Sequence, residues 1–244
     1  MPKTEQFQRP CPPSEGTKST GLAPGRSCGT CERWVTTASR RGLICSAGMA
    51  KPASKLATYN DLRDLPEETR AEILAGHVVA SPAPLPRHSK AQGAVRRFLG
   101  GPFDDDDGRG GPGGWWIFVE VDVALDQHDI VRPDLAGWRR ERLLRPGATR
   151  PIEVVPDWVC EVVSPSTAAR DRVTKRNLYA RSGVAHYWLI DPEARVFEAL
   201  ALHDGSWFEL GVYDDAATAR IPPFDAVELE IGRLFLPRDP DEVM

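Results

Sequence analysis

No apolar run in the 244 residues approaches the roughly 20 that a membrane-crossing helix needs, which excludes a helical membrane protein. Residues Met1 to Gln8 are polar where a secretory signal would require an apolar stretch, so the expected location is the cytoplasm. There is no internal repeat, no nucleotide-binding glycine loop and no Ser-His-Asp order, which removes the repeat architectures and the serine hydrolases. Cysteine is scarce beyond the first 45 residues, because four of the five cysteines are Cys11, Cys28, Cys31 and Cys45. Positive charge is scarce in the body of the chain. Residues 1–55 hold nine Lys and Arg against three Glu, whereas the remainder holds 22 basic against 32 acidic residues, a net −10. Such a body argues against broad, non-specific adhesion to polyphosphates, for which local positive charge is required.

What is present is a pair of acids inside apolar runs. Asp134 follows Arg132-Pro133 in the strand-like stretch Ile130–Trp138, and Glu161 sits inside Asp157–Val163, whose almost wholly apolar character marks a central strand covered on both faces. A buried carboxylate without a partner costs several kcal/mol or is driven to neutralise, so two on neighbouring strands imply a shared cation. Two carboxylates completed by waters and a phosphate oxygen suit Mg²⁺, with Mn²⁺ as its substitute. Asp157 also follows a proline and is a rival first acid, but it begins the same strand as Glu161, about 13 Å away at the usual rise per residue. Glu120 and Asp122 share a face of the expected strand Trp115–Leu125 and rank behind the main pair, since solvated strand acids are common. Past Glu161, Ser164 to Thr167 form a turn that caps a helix from about Ala168 to Arg181, ended by Gly183. Asp171, Lys175 and Tyr179 are spaced four apart and share one face of it. Arg170, Arg172, Arg176 and Arg181 join Lys175 as either a local basic patch or a solvated helix face.

Asp134, Glu161 after 26 intervening residues, and a lysine together resemble the PD-(D/E)xK nuclease superfamily. The longer string PDWVCEVVSPSTAARDRVTKRNLYARSGVAHYWLIDP is similar to its bacterial restriction-endonuclease branch of largely unassigned role, and the likeness runs from about Thr58 to Leu236. It implies an α/β fold with a restriction-endonuclease-like core: a central mixed β-sheet flanked by helices, with an N-terminal β-hairpin. It implies an endonuclease that hydrolyses DNA phosphodiesters with Mg²⁺ or Mn²⁺ held by Asp134 and Glu161, the Val162 carbonyl as a further ligand, and Lys175 assisting the water. DNA is then the partner, and a homodimer is expected where both strands are cut. One departure matters: the lysine of the parent motif lies two residues after the acid, and that position is Val163 here, so the amine has to come from Lys175 on the following helix. The plainer account of Lys175 is an i, i+4 pair with Asp171. Glu72 matches a family glutamate before its turn, as an accessory metal or water ligand or an exposed strand acid. His88 matches a family histidine at a helix start, as a phosphate contact or a cap. His186 stands where the family usually has a glutamate, and Ala75 and His77 where it has acidic or amide residues. The rival class is a catalytically silent module of the same fold that binds DNA or protein.

Three segments divide the chain: 1–55, 56–237 and an acidic tail, 238–244. The first is rich in Pro, Gly, Ser, Thr and Arg and is expected to be poorly ordered. Its Cys28-x-x-Cys31, Cys45 and Cys11 offer four thiolates to Zn²⁺, at a spacing that fits no familiar finger. Met49-Ala50-Lys51 sits where chains of the resembling family usually begin, so the preceding 48 residues read as an appendage or an over-extended start. The second segment is expected to open with a helix at Tyr59–Leu65 and a hairpin Ala71–Leu74/His77–Ala80 around Ala75-Gly76. A helix then runs from Arg87-His88 and stops at Gly100-Gly101, and a disordered glycine-rich loop with Asp104–Asp107 follows it to Gly114. After His186, the strand Tyr187–Ile190, the meander Val196–Leu202/Trp207–Tyr213 and a short strand Val227–Ile231 complete the reading.

Overall fold

The apolar run Trp158–Val162 lies in the middle of a six-stranded sheet, with all five residues buried. This computed structural model describes residues 55–105, 111–147 and 149–238. The chain divides into units 1–51 and 52–244, and the described residues belong to the second. Cys11, Cys28, Cys31 and Cys45, with the zinc reading attached to them, lie outside the described residues, as does the tail beyond Arg238.

In chain order the elements are α1 (Tyr59–Arg63), β1 (Ala71–Leu74), β2 (His77–Ala80), α2 (Pro86–Leu99), β3 (Trp115–Val119), β4 (Val123–Asp126), β5 (Asp129–Val131), β6 (Leu135–Arg139), β7 (Trp158–Val162), α3 (Arg176–Ser182), β8 (His186–Asp191), β9 (Val196–His203), β10 (Ser206–Tyr213), β11 (Thr218–Ala219) and β12 (Leu229–Glu230). The main sheet has the order β10-β9-β8-β7-β6-β3. It is mixed: β7 and β8 run parallel, joined by the helical crossover that contains α3, and the other neighbours are antiparallel. A smaller antiparallel sheet, β2-β1-β5-β4, carries the hairpin, whose register pairs Ala71 with Ala80 and Leu74 with His77 as its sequence predicts. Ala75 and Gly76 both take positive φ (50° and 75°), which a two-residue turn of this hand requires.

Alternation along β7 sends its side chains to two separate cores. Trp158, Cys160 and Val162 face α2, contributing to a core with Ala91, Val95 and Leu99. At its centre Phe224, from the C-terminal segment, meets Trp115, Trp158 and Trp188 at ring separations of 4.8, 5.0 and 5.5 Å. Val159 and Val163 face the other way, onto Leu178 and Tyr179 of α3 and onto Leu74, Val123 and Val131 of the smaller sheet.

Four expectations need correction. The stretch 115–125 is two strands in two sheets, because Glu120 takes φ 52° and lets the chain leave the main sheet after Val119. Ile130–Trp138 is likewise two strands, and Asp134 stands in the link between them. Gly100-Gly101 does not stop the helix: a π-helical turn, Gly100–Asp104, continues it, and Asp104 is fixed by Arg96 (2.5 Å) and the Ile117 amide (3.2 Å) rather than left in a loose loop. The strand expected at Val227–Ile231 shrinks to Leu229–Glu230, since it has only the two-residue β11 to pair with.

Candidate active site

Antiparallel pairing of Leu135 with Cys160 puts Asp134, one residue before β6, across from Glu161 near the end of β7. The two acids are tied together through the backbone. The Val162 amide donates to Asp134 Oδ2 (2.7 Å), and the Asp134 amide approaches Glu161 Oε2 (3.4 Å). From α2, His88 Nε2 lies 3.1 Å from Asp134 Oδ2, and the Gln92 amide donates to the Asp134 carbonyl (3.1 Å). From the crossover, Lys175 Nζ donates to Glu161 Oε1 (2.9 Å) and Tyr179 donates to the same oxygen (2.6 Å). Lys175 also reaches Glu72 Oε1 on β1 (2.7 Å) and stands 4.0 Å from Asp171 Oδ1. Glu72 Oε1 further accepts the Arg132 amide (2.8 Å).

The crossover helix is not uniform. Arg170–Lys175 is a π-helical turn that runs into α3. Four residues approximate one turn in either geometry, between the 3.6 of an α-helix and roughly 4.4 of a π turn, so Asp171, Lys175 and Tyr179 still share a face. All three are buried.

Charge is the dominant feature. Glu72, Asp134, Glu161 and Asp171 are each 8% exposed or less, and among the described residues the one Lys or Arg buried with them is Lys175, at 3%. Burial pushes the Glu161 carboxyl up to about 8. The Lys175 ammonium pulls it back, and the negative charges of Asp134, Asp171 and Glu72 add to the rise. Burial alone would depress the Lys175 ammonium, but Glu161, Glu72 and Asp171 outweigh it and hold the amine above its ordinary range. The Asp171 carboxyl is raised, first by burial. Among the described residues no three His, Cys, Asp or Glu side chains stand ready around one cation position. The donors here are instead two facing carboxylates in excess negative charge. That set suits Mg²⁺, which keeps most of its waters and takes one or two protein carboxylates.

These groups line a cleft of about 320 Å³, bounded by β1, the Pro82–Leu85 strap and the Ser164–Thr167 turn. Arg70, Arg132 and Arg170 also line it. Glu72 and His88, open to a surface reading from sequence, are both buried here. Asp157 does not join the site: it sits at the far end of β7 and binds Arg142 (2.5 Å) and the Arg139 amide (2.8 Å). Glu120 and Asp122 do not act together. Asp122 is held by Arg132 (2.7 Å), Arg150 (2.9 Å) and Tyr59 (3.1 Å), and Glu120 by Arg70 (2.8 Å) and Gln92 (3.1 Å). Of the basic residues after Glu161, Arg172 is paired with Asp191 and Glu198 and Arg181 with Asp129, leaving Arg170 and Lys175 at the cleft. Gln92 was not anticipated. Its signal was available, a polar residue four after His88 on the apolar face of α2.

The fold and the paired acids define an α/β protein of the PD-(D/E)xK, restriction-endonuclease-like class. Residues 56–232 match the Uma2 family model, described as putative restriction endonuclease, and the chain belongs to that family. A crystal structure of a putative nuclease belonging to DUF820 from Anabaena variabilis ATCC 29413 superposes with a TM-score of 0.55 at 23% identity, over 73% of this chain and 97% of that one, and shares the fold. No curated protein sequence matches.

Proposed function

We propose that this protein is an Mg²⁺- or Mn²⁺-dependent endonuclease that hydrolyses DNA phosphodiester bonds. The observation that carries the reading is the burial of three carboxylates around one ammonium, with a fourth, Asp134, facing Glu161 at adjacent strand ends in a cleft. Asp134 and Glu161 would hold the metal, with the main-chain carbonyl of Val162 as the third donor. A bound divalent ion supplies a Lewis acid and a water of lowered pKa. Lys175, fixed by Glu161 and Glu72, orients that water or neutralises charge on the phosphoryl oxygens. Tyr179 holds Glu161 through the same oxygen as Lys175, and His88 holds Asp134. Arg170, which lines the cleft, would receive a phosphate, with Arg132, paired through Nε to Asp122, beside it.

The test is nicking of supercoiled plasmid with Mg²⁺ or Mn²⁺. Glu161→Gln and Lys175→Met are expected to lower the rate by at least about 100-fold while remaining folded, and Asp134→Asn to weaken Mn²⁺ binding in a calorimetric titration. A second reading, a silent module that kept the fold, draws on the engagement of the Lys175 amine by two carboxylates. Absence of both nicking and a Mn²⁺ site dependent on Asp134 would establish it.

A further inference from the structure

We infer that the outer face of α2 is a track for a nucleic-acid phosphate backbone leading out of the cleft. Helix α2 carries Arg87, Lys90, Arg96 and Arg97 and no acid, in a body that is strongly acidic. Two of these cations are committed, Arg87 to Glu193 and Arg96 to Asp104. Lys90 and Arg97 are exposed, and neither has an ion pair or side-chain hydrogen bond among the described residues. Gly93 lies between them, exposed, and a Cβ there would meet nothing within 4 Å, so the helix surface is open along this stripe.

The stripe borders a groove of about 730 Å³ whose opposite wall includes Arg195 and Arg233. Those two are bonded to Asp215 (2.6 Å) and Glu230 (3.0 Å), which leaves Lys90 and Arg97 as the unneutralised charges. Groove and cleft adjoin at the first turn of α2: Leu85 and His88 line the cleft, and Ser89 and Lys90 line the groove. Seven residues separate Lys90 from Arg97, about 10.5 Å along the axis at the α-helical rise, or about three steps of 3.4 Å along one DNA strand. A polyanion entering the cleft therefore meets two free cations at a spacing its phosphates can match. The identity of that polyanion rests on the nuclease reading above.

The test is binding of the full chain to a fluorescein-labelled duplex across a salt series in EDTA, where no cleavage occurs. Lys90→Gln/Arg97→Gln is expected to bind about tenfold more weakly, with a slope of log affinity against log salt shallower by about 1.8, the counterion release of two phosphate contacts. A control, Arg63→Gln/Arg145→Gln, removes the same charge from exposed positions elsewhere and is expected to leave the slope unchanged. Unaltered binding by the α2 variant overturns the track, as does an equal loss in the control. Both of those outcomes leave the nuclease reading standing on plasmid nicking. Absence of binding by the wild type overturns the track whatever the nicking assay shows.

Discussion

At the scale of single residues the site is a problem in charge balance. Glu161 has a folded pKa of about 8 against an ordinary 4.5, because burial raises it and three neighbouring acids reinforce what Lys175 only partly offsets. Between those two values the folded chain keeps a proton that the unfolded chain has released, so unfolding free energy falls as pH rises from about 4.5 to about 8. Lys175 does not change this window, since its raised amine stays protonated on both sides of it. In EDTA, the wild type is therefore expected to lose melting temperature relative to Glu161→Gln between pH 5.5 and pH 8, and Mn²⁺ to recover the loss at pH 8. Differential scanning calorimetry reads the comparison directly, and a pH-independent difference would show that Glu161 does not carry the strain. At this scale the sequence was legible where an ionisable residue interrupted an apolar run, as at Asp134 and Glu161. At Gln92 it showed a polar residue on an apolar helix face but not its partner, the Asp134 carbonyl 3.1 Å away.

At the scale of elements, local chemistry explains both the hairpin and the breaks. The β1–β2 turn asks two residues to adopt positive φ, and it supplies Ala75 and Gly76. Gly76 takes this conformation without cost, whereas a Cβ in the left-handed region costs alanine about 1–2 kcal/mol. Asn is better suited there, and Ala75 is exposed with its amide bound to Asp129 (2.6 Å), a main-chain bond that Asn preserves. Ala75→Asn is expected to stabilise the protein by about 0.5–1 kcal/mol, raising Tm by about 1–4 °C. A lowered Tm would mean that the turn is not where this hairpin stores strain. The breaks were harder to read. Trp115 to Leu125 is β-prone and, with Glu120 and Asp122 on one face, reads as a single strand, and only the left-handed Glu120 divides it between sheets. That conformation is held by tertiary bonds, the Glu120 amide to the Asp134 carbonyl (3.3 Å) and its carboxylate to Arg70 and Gln92, which no local pattern encodes.

At the scale of the whole molecule, both cores and the cleft are built from residues 55–238. A fragment of those residues is expected to unfold in one cooperative transition with a Tm within about 3 °C of the full chain, and to keep any Mn²⁺ site. A fall of 10 °C or more would show that the preceding residues belong to the folding unit. Zinc analysis of the same pair tests the cysteine reading, since a bound ion would be lost with Cys11, Cys28, Cys31 and Cys45. Among the described residues no helix is long and apolar enough to cross a membrane.

The sequence by itself determined the central strand, the basic crossover after it, the hairpin and the two acids, because each is written in short-range terms: an unbroken apolar run, a four-residue spacing, a glycine at a turn. Tertiary structure alone decided which partners each acid meets. Asp157, one residue before β7, and Glu161, on it, part company, since one meets Arg142 and the other meets Lys175. Glu72 and Lys175 are 103 positions apart and touch because the smaller sheet folds against the crossover helix. Distances of that kind follow from how sheets and helices stack, and stacking is settled by the packing of both cores at once rather than by any stretch of chain.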